Sequence, residues 1–183
     1  MLPGRRKALP LLVALALGLL ASLAFAACGS EHELEVAEGE PVELGDLRYN
    51  VVFSRFLNPE DIEDSAYLVG QPPHAEGQSY FGIFVQVENE GDEAQRLPES
   101  FTITDISGAE YEAIESESLY ALRLGTRVGP EDEIPALDST PRQGPIQGSL
   151  VLFEIPQSAA ENRPLVLEIP GPGGEHAEVT LDL

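Results

Sequence analysis

Cys28 is the only cysteine among the 183 residues of the chain, and its thiol is the most distinctive reactive group in the sequence. It follows three consecutive basic residues, 5–7, and an apolar run over residues 8–27. A basic segment, an apolar segment and small residues before a cleavage point are typical of a secretory signal peptide. The run is also about 20 residues long, which is enough for a transmembrane anchor. The small residues on both sides of Cys28 favour cleavage.

The hexapeptide FAACGS at residues 25–30 resembles the lipobox of bacterial lipoproteins. The resemblance implies that the Cys28 thiol receives a diacylglycerol and that this residue becomes the N-terminus of the mature chain. We therefore expect a lipoprotein signal peptide over residues 1–27. Acyl chains such as palmitate would then anchor the protein by burying their methylene groups in the cell membrane, on its extracytoplasmic side. A free or intermolecularly paired thiol is the alternative for a lone cysteine.

The charge balance excludes several classes of partner. Residues 1–27 contain three basic and no acidic residues, so the remaining chain has seven arginines against 32 acidic residues, a formal charge of −25. Nucleic-acid binding requires a basic surface, and adsorption to anionic headgroups also requires cationic residues. We therefore expect no nucleic-acid partner, and membrane contact through the lipid on Cys28. Solubility is the simplest role of the charge, and cation binding is the alternative.

The acidic segment PEDIED, residues 59–64, is a candidate calcium site. Its four possible ligands are Glu60, Asp61, Glu63 and Asp64. Calcium takes several oxygen ligands, and clustered carboxylates supply them. The spacing matches no defined calcium loop, so a solvated acidic loop or a helix start is the alternative. A calcium-binding or calcium-stabilised extracellular domain is accordingly the second function considered.

Catalytic chemistry finds little support in the sequence. The three histidines, His32, His74 and His176, lie in predicted loops or in a predicted tether. A serine triad needs Ser, His and Asp within hydrogen-bond reach, and no Gly-x-Ser-x-Gly motif presents a serine. Residues 31–33, EHE, are a loose candidate for zinc or copper(II). We expect no enzyme activity and no cofactor, and an extracytoplasmic hydrolase is the third function considered.

Short alternating patterns after residue 40 predict the elements that must position these groups. The segment 42–53 predicts a hairpin with its turn at Gly45-Asp46, and Val51 and Phe53 fall on the same face as Leu47. Apolar residues alternate over residues 80–88, which predicts a strand with one buried face. Further strands are predicted within residues 100–114, 118–124, 146–156, 164–170 and 177–183. Long loops are predicted at residues 54–79, with one helical turn near 59–65, and at residues 125–145.

This succession of about eight short strands without a long helical period indicates an all-β class, with antiparallel sheets packed over one core. Four aromatic residues are expected to fill that core: Phe81, Phe84, Phe101 and Phe153. Four apolar residues in or beside the first long loop are candidates for contact with a protein partner if they are exposed: Phe56, Leu57, Tyr67 and Leu68. Burial of these residues against the sandwich is the alternative.

Three different groups of residues are turn and core signals in or beside the predicted strands. They are Val87, Asn89 and Gly91; then Asp105, Ser107 and Gly108; then Gly148, Leu150, Phe153 and Pro156. Together they resemble the immunoglobulin-like domain of secreted bacterial lipoproteins, a family without an established activity and similar in fold to the actinobacterial immunoprotective extracellular antigen. The resemblance implies an immunoglobulin-like sandwich of about seven to eight strands. The resemblance assigns no catalytic residue to this sequence.

The expected organisation has three parts: a signal peptide over residues 1–27, an acidic flexible tether over residues 28–40, and an immunoglobulin-like domain over residues 41–183. The expected function is a membrane-anchored lipoprotein that presents this domain as an interaction or ligand-binding module without catalysis. The sequence identifies neither the ligand nor a protein partner.

Overall fold

A computed structural model describes residues 33–183 of the chain. The predicted signal peptide and the predicted lipidation site, Cys28, lie outside the described residues. The strands are β1 Glu33–Ala37, β2 Val42–Leu44, β3 Leu47–Leu57, β4 Gln78–Asn89, β5 Gln95–Arg96, β6 Thr102–Thr104, β7 Glu110–Glu112, β8 Arg127–Val128, β9 Glu133–Ile134, β10 Ser149–Pro156, β11 Val166–Pro170 and β12 His176–Thr180. The α-helices are α1 Ile62–Ser65 and α2 Thr140–Gln143, and 3₁₀ turns occupy Gln157–Ala160 and Pro172–Gly174.

Two sheets contain most of the strands. Sheet I has the order β1-β12-β11-β6-β7, and sheet II has the order β10-β4-β3-β2, with β9 paired to the end of β4. A small third sheet joins β5 to β8. Every pair is antiparallel except β1 with β12, which is parallel. The predicted all-β sandwich is therefore confirmed.

The core lies between the inner faces of sheets I and II. Three of the four aromatic residues predicted to fill it, Phe81, Phe101 and Phe153, are fully buried there. The Phe81 ring meets Phe56 edge to face at a centroid distance of 5.1 Å. Alternation along β4 puts its odd-numbered apolar residues into this core, as the pattern predicts. Edge-to-face aromatic pairs add to the stabilisation from area burial.

A β-bulge in β3 changes which side chains face the core. The pairing passes from Val51 opposite Val85 to Phe53 opposite Phe84, so Val52 is the extra residue. One inserted residue reverses the facing of everything after it, because side chains alternate along a strand. Phe53 therefore points outward and is 42% exposed. The simple alternation predicted it on the inner face, and that expectation is wrong.

A second apolar cluster covers the outer face of sheet II. It contains Leu57, Tyr67, Leu68, Tyr80, Phe84, Leu150 and Leu152. The expectation that Phe84 fills the central core is wrong. The odd-numbered apolar residues of β4 face that core, so the even-numbered Phe84 points to the opposite face and lies in this cluster. The loop between β3 and β4 folds over the sheet and supplies Tyr67, whose ring lies 5.0 Å from that of Phe84. Sheet II is thus buried on both faces along part of its length.

The segment predicted as a flexible tether is partly a strand. β1 pairs with β12 over five residues, and Glu38, just after β1, accepts hydrogen bonds from the backbone N–H groups of Ser54 (3.0 Å) and Asp182 (3.2 Å). The Ser54 hydroxyl donates to the same carboxylate at 2.5 Å. Low apolar content predicted disorder, but an edge strand needs few buried side chains when its backbone is paired. The folded unit therefore begins before residue 41.

Candidate functional site

The acidic segment predicted as a calcium site is organised around an ion pair. Asp64 is buried at the start of the loop between β3 and β4, and its carboxylate accepts hydrogen bonds from the Arg55 guanidinium and from the Asn58 backbone N–H, the latter at 2.8 Å. Arg55 on β3 is one third exposed. A buried carboxylate needs such partners because desolvation of the charge is costly.

The other three predicted calcium ligands do not converge with Asp64. Asp61 caps α1, since its side chain accepts a hydrogen bond from the Glu63 backbone N–H at 2.8 Å. Glu60 and Glu63 are exposed. Four carboxylates spread over a capped helical turn do not surround one point, whereas calcium requires several oxygens around it. The geometry supports the alternative of a helix start, which α1 provides.

The four apolar residues considered for partner contact are not an exposed patch. Leu57, Tyr67 and Leu68 are buried in the outer cluster of sheet II, and Phe56 is half-buried against the central core. The bulge in β3 sends Leu57 outward under the loop and turns Phe56 inward, and the loop itself supplies Tyr67 and Leu68 to the outer cluster. The alternative of burial against the sandwich is the arrangement found.

Two residues of these turn and core motifs, Asn89 and Asp105, hold turns through several side-chain hydrogen bonds. The Asn89 side chain donates to the carbonyls of Val128 (3.1 Å) and Gly129 (2.8 Å) and accepts from the Gly91 N–H. Asp105 accepts hydrogen bonds from the Ser107 hydroxyl and from backbone N–H groups of its own turn. The Ser107 hydroxyl is the main cause that lowers the pKa of Asp105 to about 2. Both residues hold turns, as the resemblance implies.

A groove lies along the outer edge of β10, and we call it the β10 groove. Its volume is about 710 Å³, within the range of small-molecule sites, roughly 300–1,000 Å³. The segment 113–124 forms one wall, because the Ile114 N–H donates to the Leu152 carbonyl (2.8 Å) and the Leu122 N–H to the Leu150 carbonyl (2.7 Å). These two attachments hold the segment at both ends and leave the groove between them.

The loop between β3 and β4 closes one side of the β10 groove. The Gln71 side chain donates to the Glu115 carbonyl at 2.8 Å, and the buried Ser118 hydroxyl donates to the Ala66 carbonyl at 2.8 Å. The segment 118–124, predicted as a strand, makes only an isolated bridge between Ala121 and Leu150. The wall is therefore an irregular segment, held to β10 by backbone hydrogen bonds and to the loop between β3 and β4 by side-chain hydrogen bonds.

The lining of the β10 groove combines apolar side chains with charges of mostly one sign. Three half-buried residues contribute the apolar surface: Ala113, Ile114 and Leu124. Three exposed glutamates surround it: Glu99, Glu115 and Glu117. Arg123 is the counter-charge in the lining, and its guanidinium donates to the Ser116 carbonyl at 2.7 Å. The groove therefore favours a ligand that has an apolar body and positive groups.

A second cluster of interest was not identified from the sequence as a group. Glu33, His176 and Glu178 bring their ligand atoms together on sheet I. The sequence groups Glu33 only with its neighbours in the EHE segment, and it predicts a loop at His176. The alternation His176-Ala177-Glu178-Val179 indicates that His176 and Glu178 share one face of a strand. No local pattern indicates that this strand pairs with β1, which is distant in the sequence.

Within residues 33–183, no helix has the length and apolar composition needed to cross a membrane. No protein-family model and no curated protein matches the chain.

Several solved structures are similar to it at low identity. An uncharacterized β-sandwich protein from Clostridium difficile 630 has 15% identity and a TM-score of 0.49, over 84% of this chain and 97% of that one. The secreted protein MPT63 from Mycobacterium tuberculosis has 10% identity and a TM-score of 0.49, over 84% and 100%. The yjhA protein from Bacillus subtilis has 12% identity and a TM-score of 0.47, over 82% and 99%. The assignment of this chain as a β-sandwich rests on its own strand pairing.

Proposed function

We propose that the protein is an extracytoplasmic lipoprotein, anchored through a lipid on Cys28, whose sandwich binds a cationic ligand in the β10 groove. The observation that carries the binding role is the groove itself, with its half-buried apolar lining and its three glutamates. The sequence around Cys28 supports the anchor. The proposal includes no catalytic step and no nucleic-acid partner.

The charge of the groove supports a positively charged ligand. Glu115 and Glu117 form no salt bridge among the described residues, whereas Glu99 pairs with Arg96 at 2.8 Å. The potential of a strongly anionic protein concentrates cations near its surface. A ligand with two positive groups and a central apolar group would contact both free carboxylates and the half-buried apolar part of the lining.

A dye-labelled Lys-Leu-Lys peptide should bind the full-length protein more tightly than its Glu-Leu-Glu counterpart. The double variant E115Q/E117Q should weaken the binding of Lys-Leu-Lys by about fivefold, because each exposed ion pair contributes a fraction of a kcal/mol. Fluorescence anisotropy measures both affinities. Raising the salt concentration from about 0.05 to about 0.5 M should weaken binding to the wild type more than to the double variant.

E110Q is the matched control, since Glu110 is an exposed glutamate on β7 of sheet I, outside the groove. It should leave the affinity for Lys-Leu-Lys unchanged. Equal affinity for the two peptides, or equal losses in E110Q and in the double variant, would refute the assignment of the ligand site to the β10 groove.

The anchor is tested by metabolic labelling with a fatty acid. The wild type should be labelled and recovered in the membrane fraction, and Cys28→Ala should carry no label because it lacks the acceptor thiol. Ser30→Ala keeps the thiol and should remain labelled. Equal labelling of wild type and Cys28→Ala would eliminate the anchor without affecting the peptide result.

A further inference from the structure

The paired strands β1 and β12 bring three metal-ligating side chains together. Their parallel register places Glu33 opposite His176, and Glu178 lies two residues further along β12. Alternate residues of a strand point to the same face. Ala177 and Val179 are buried in the core, so His176 and Glu178 point to the outer face of sheet I. The ligand atoms of Glu33, His176 and Glu178 all lie within 4.8 Å of one another.

The backbone fixes this arrangement. Each of the three residues lies within a strand, and β12 is hydrogen-bonded to β11 on its other side. The cluster therefore stands on paired strands, which hold a ligand set more firmly than a loop does. The predicted calcium ligands on the loop before β4 lack this feature.

The surroundings of the cluster contain several negative charges. Glu35 on β1 and Glu168 on β11 both lie directly opposite Glu178. None of the five strands of sheet I contains a lysine or an arginine. Like charges opposite each other destabilise a sheet. A bound cation would offset this repulsion.

The donor set indicates the class of ion. One imidazole nitrogen and two carboxylate oxygens suit zinc, for which three protein ligands leave a position for water. Imidazole also suits copper and nickel. Calcium and magnesium prefer oxygen ligands throughout. The histidine therefore separates this cluster from an ordinary group of surface acids.

We propose that Glu33, His176 and Glu178 bind one divalent first-row transition ion on the outer face of sheet I, with Zn²⁺ as the probe. The cluster shares no residue with the β10 groove. The metal site and the peptide site are therefore tested independently.

Zinc binding is measured on the full-length protein, solubilised in mild detergent, by titration against a chromogenic zinc chelator. The wild type should hold one ion per chain at this site. His176→Gln and Glu178→Gln should each lower the affinity by at least about tenfold, the minimum expected when even a supporting residue of a metal site is lost. His74→Gln removes a histidine from the loop before β4 and should leave the affinity unchanged. Wild-type affinity in His176→Gln, or an equal loss in His74→Gln, would overturn the proposal.

A second measurement uses the wild type alone, so it does not depend on the folding of a variant. Substoichiometric Cu²⁺ should broaden the imidazole proton signals of His176 before those of His74. The reverse order would overturn the site. Millimolar Ca²⁺ should leave the zinc bound, and displacement of zinc by calcium would overturn the assignment to a transition ion.

Discussion

Replacing Tyr67 with alanine should lower the free energy of unfolding by about 3 kcal/mol, the lower end of the loss for a large buried aromatic ring. Tyr67 is 2% exposed. Its ring packs edge to face between Phe84 on β4, at 5.0 Å, and Tyr120 on the wall of the β10 groove, at 4.8 Å. Alanine would leave a cavity between the loop and sheet II. Chemical denaturation followed by far-UV circular dichroism measures the change.

Tyr67→Phe is the matched control, because it keeps the ring and removes only the hydroxyl. It should cost much less than Tyr67→Ala. Leu119→Ala, at a side chain that is 79% exposed, should change stability by less than about 0.5 kcal/mol. Unchanged global stability in Tyr67→Ala would mean that the outer cluster opens separately from the sandwich, contrary to the coupling through Phe84.

Replacing Asp64 with alanine should lower the free energy of unfolding by about 2 kcal/mol. Removal of one partner of a fully buried ion pair costs more, but the exposure of Arg55 to solvent reduces the loss. The Asn58 N–H also loses its acceptor, which adds to the cost of the change. The same denaturation measurement gives the value.

Glu63→Ala is the control for Asp64, since Glu63 belongs to the same helix α1 but is exposed. It should change the free energy of unfolding by less than about 0.5 kcal/mol. The double variant Arg55→Met/Asp64→Leu should be more stable than Asp64→Ala, because it leaves no charge without a partner. A larger loss in the double variant would contradict the ion-pair interpretation. Stabilisation of the wild type by calcium, lost in Asp64→Ala, would instead support the calcium alternative.

The strands with clean alternation were predictable from the sequence. In β4 the period of two, the turn residues after it and the lack of a helical period all indicated a strand with one face in the core. The hairpin at Gly45 was predictable too, because tight turns often need a positive φ, which glycine adopts readily. Gly45 has a φ of +60°. Local chemistry determines these elements, so a local pattern reveals them.

The elements that the sequence did not reveal depend on distant partners. The bulge at Val52 moves Phe53 outward, yet an extra residue leaves no mark in the apolar pattern. The strands β1, β5, β8 and β9 have only two to five residues. Each is a strand because a segment distant in the sequence pairs with it. The sequence alternation therefore underestimated the number of strands.

The candidate sites were less predictable than the fold. The β10 groove depends on backbone hydrogen bonds between the segment 113–124 and β10, and no spacing of residue types predicts them. The Glu33–His176–Glu178 cluster joins the first and twelfth strands. The acids of residues 60–64 were conspicuous in the sequence, but one of them serves an ion pair and another a helix cap. Abundant acidic residues conceal the few that are brought together.

The pairing of β1 with β12 has a consequence for the order of folding. Glu38 and Asp182, which meet through a hydrogen bond, are 144 positions apart in the chain. Contacts between distant positions slow folding, because the intervening loop must close first. A chain synthesised from its N-terminus would carry β1 without its neighbour until β12 has been released. β1 is thus synthesised early but paired late, and sheet I is completed only after β12 has emerged.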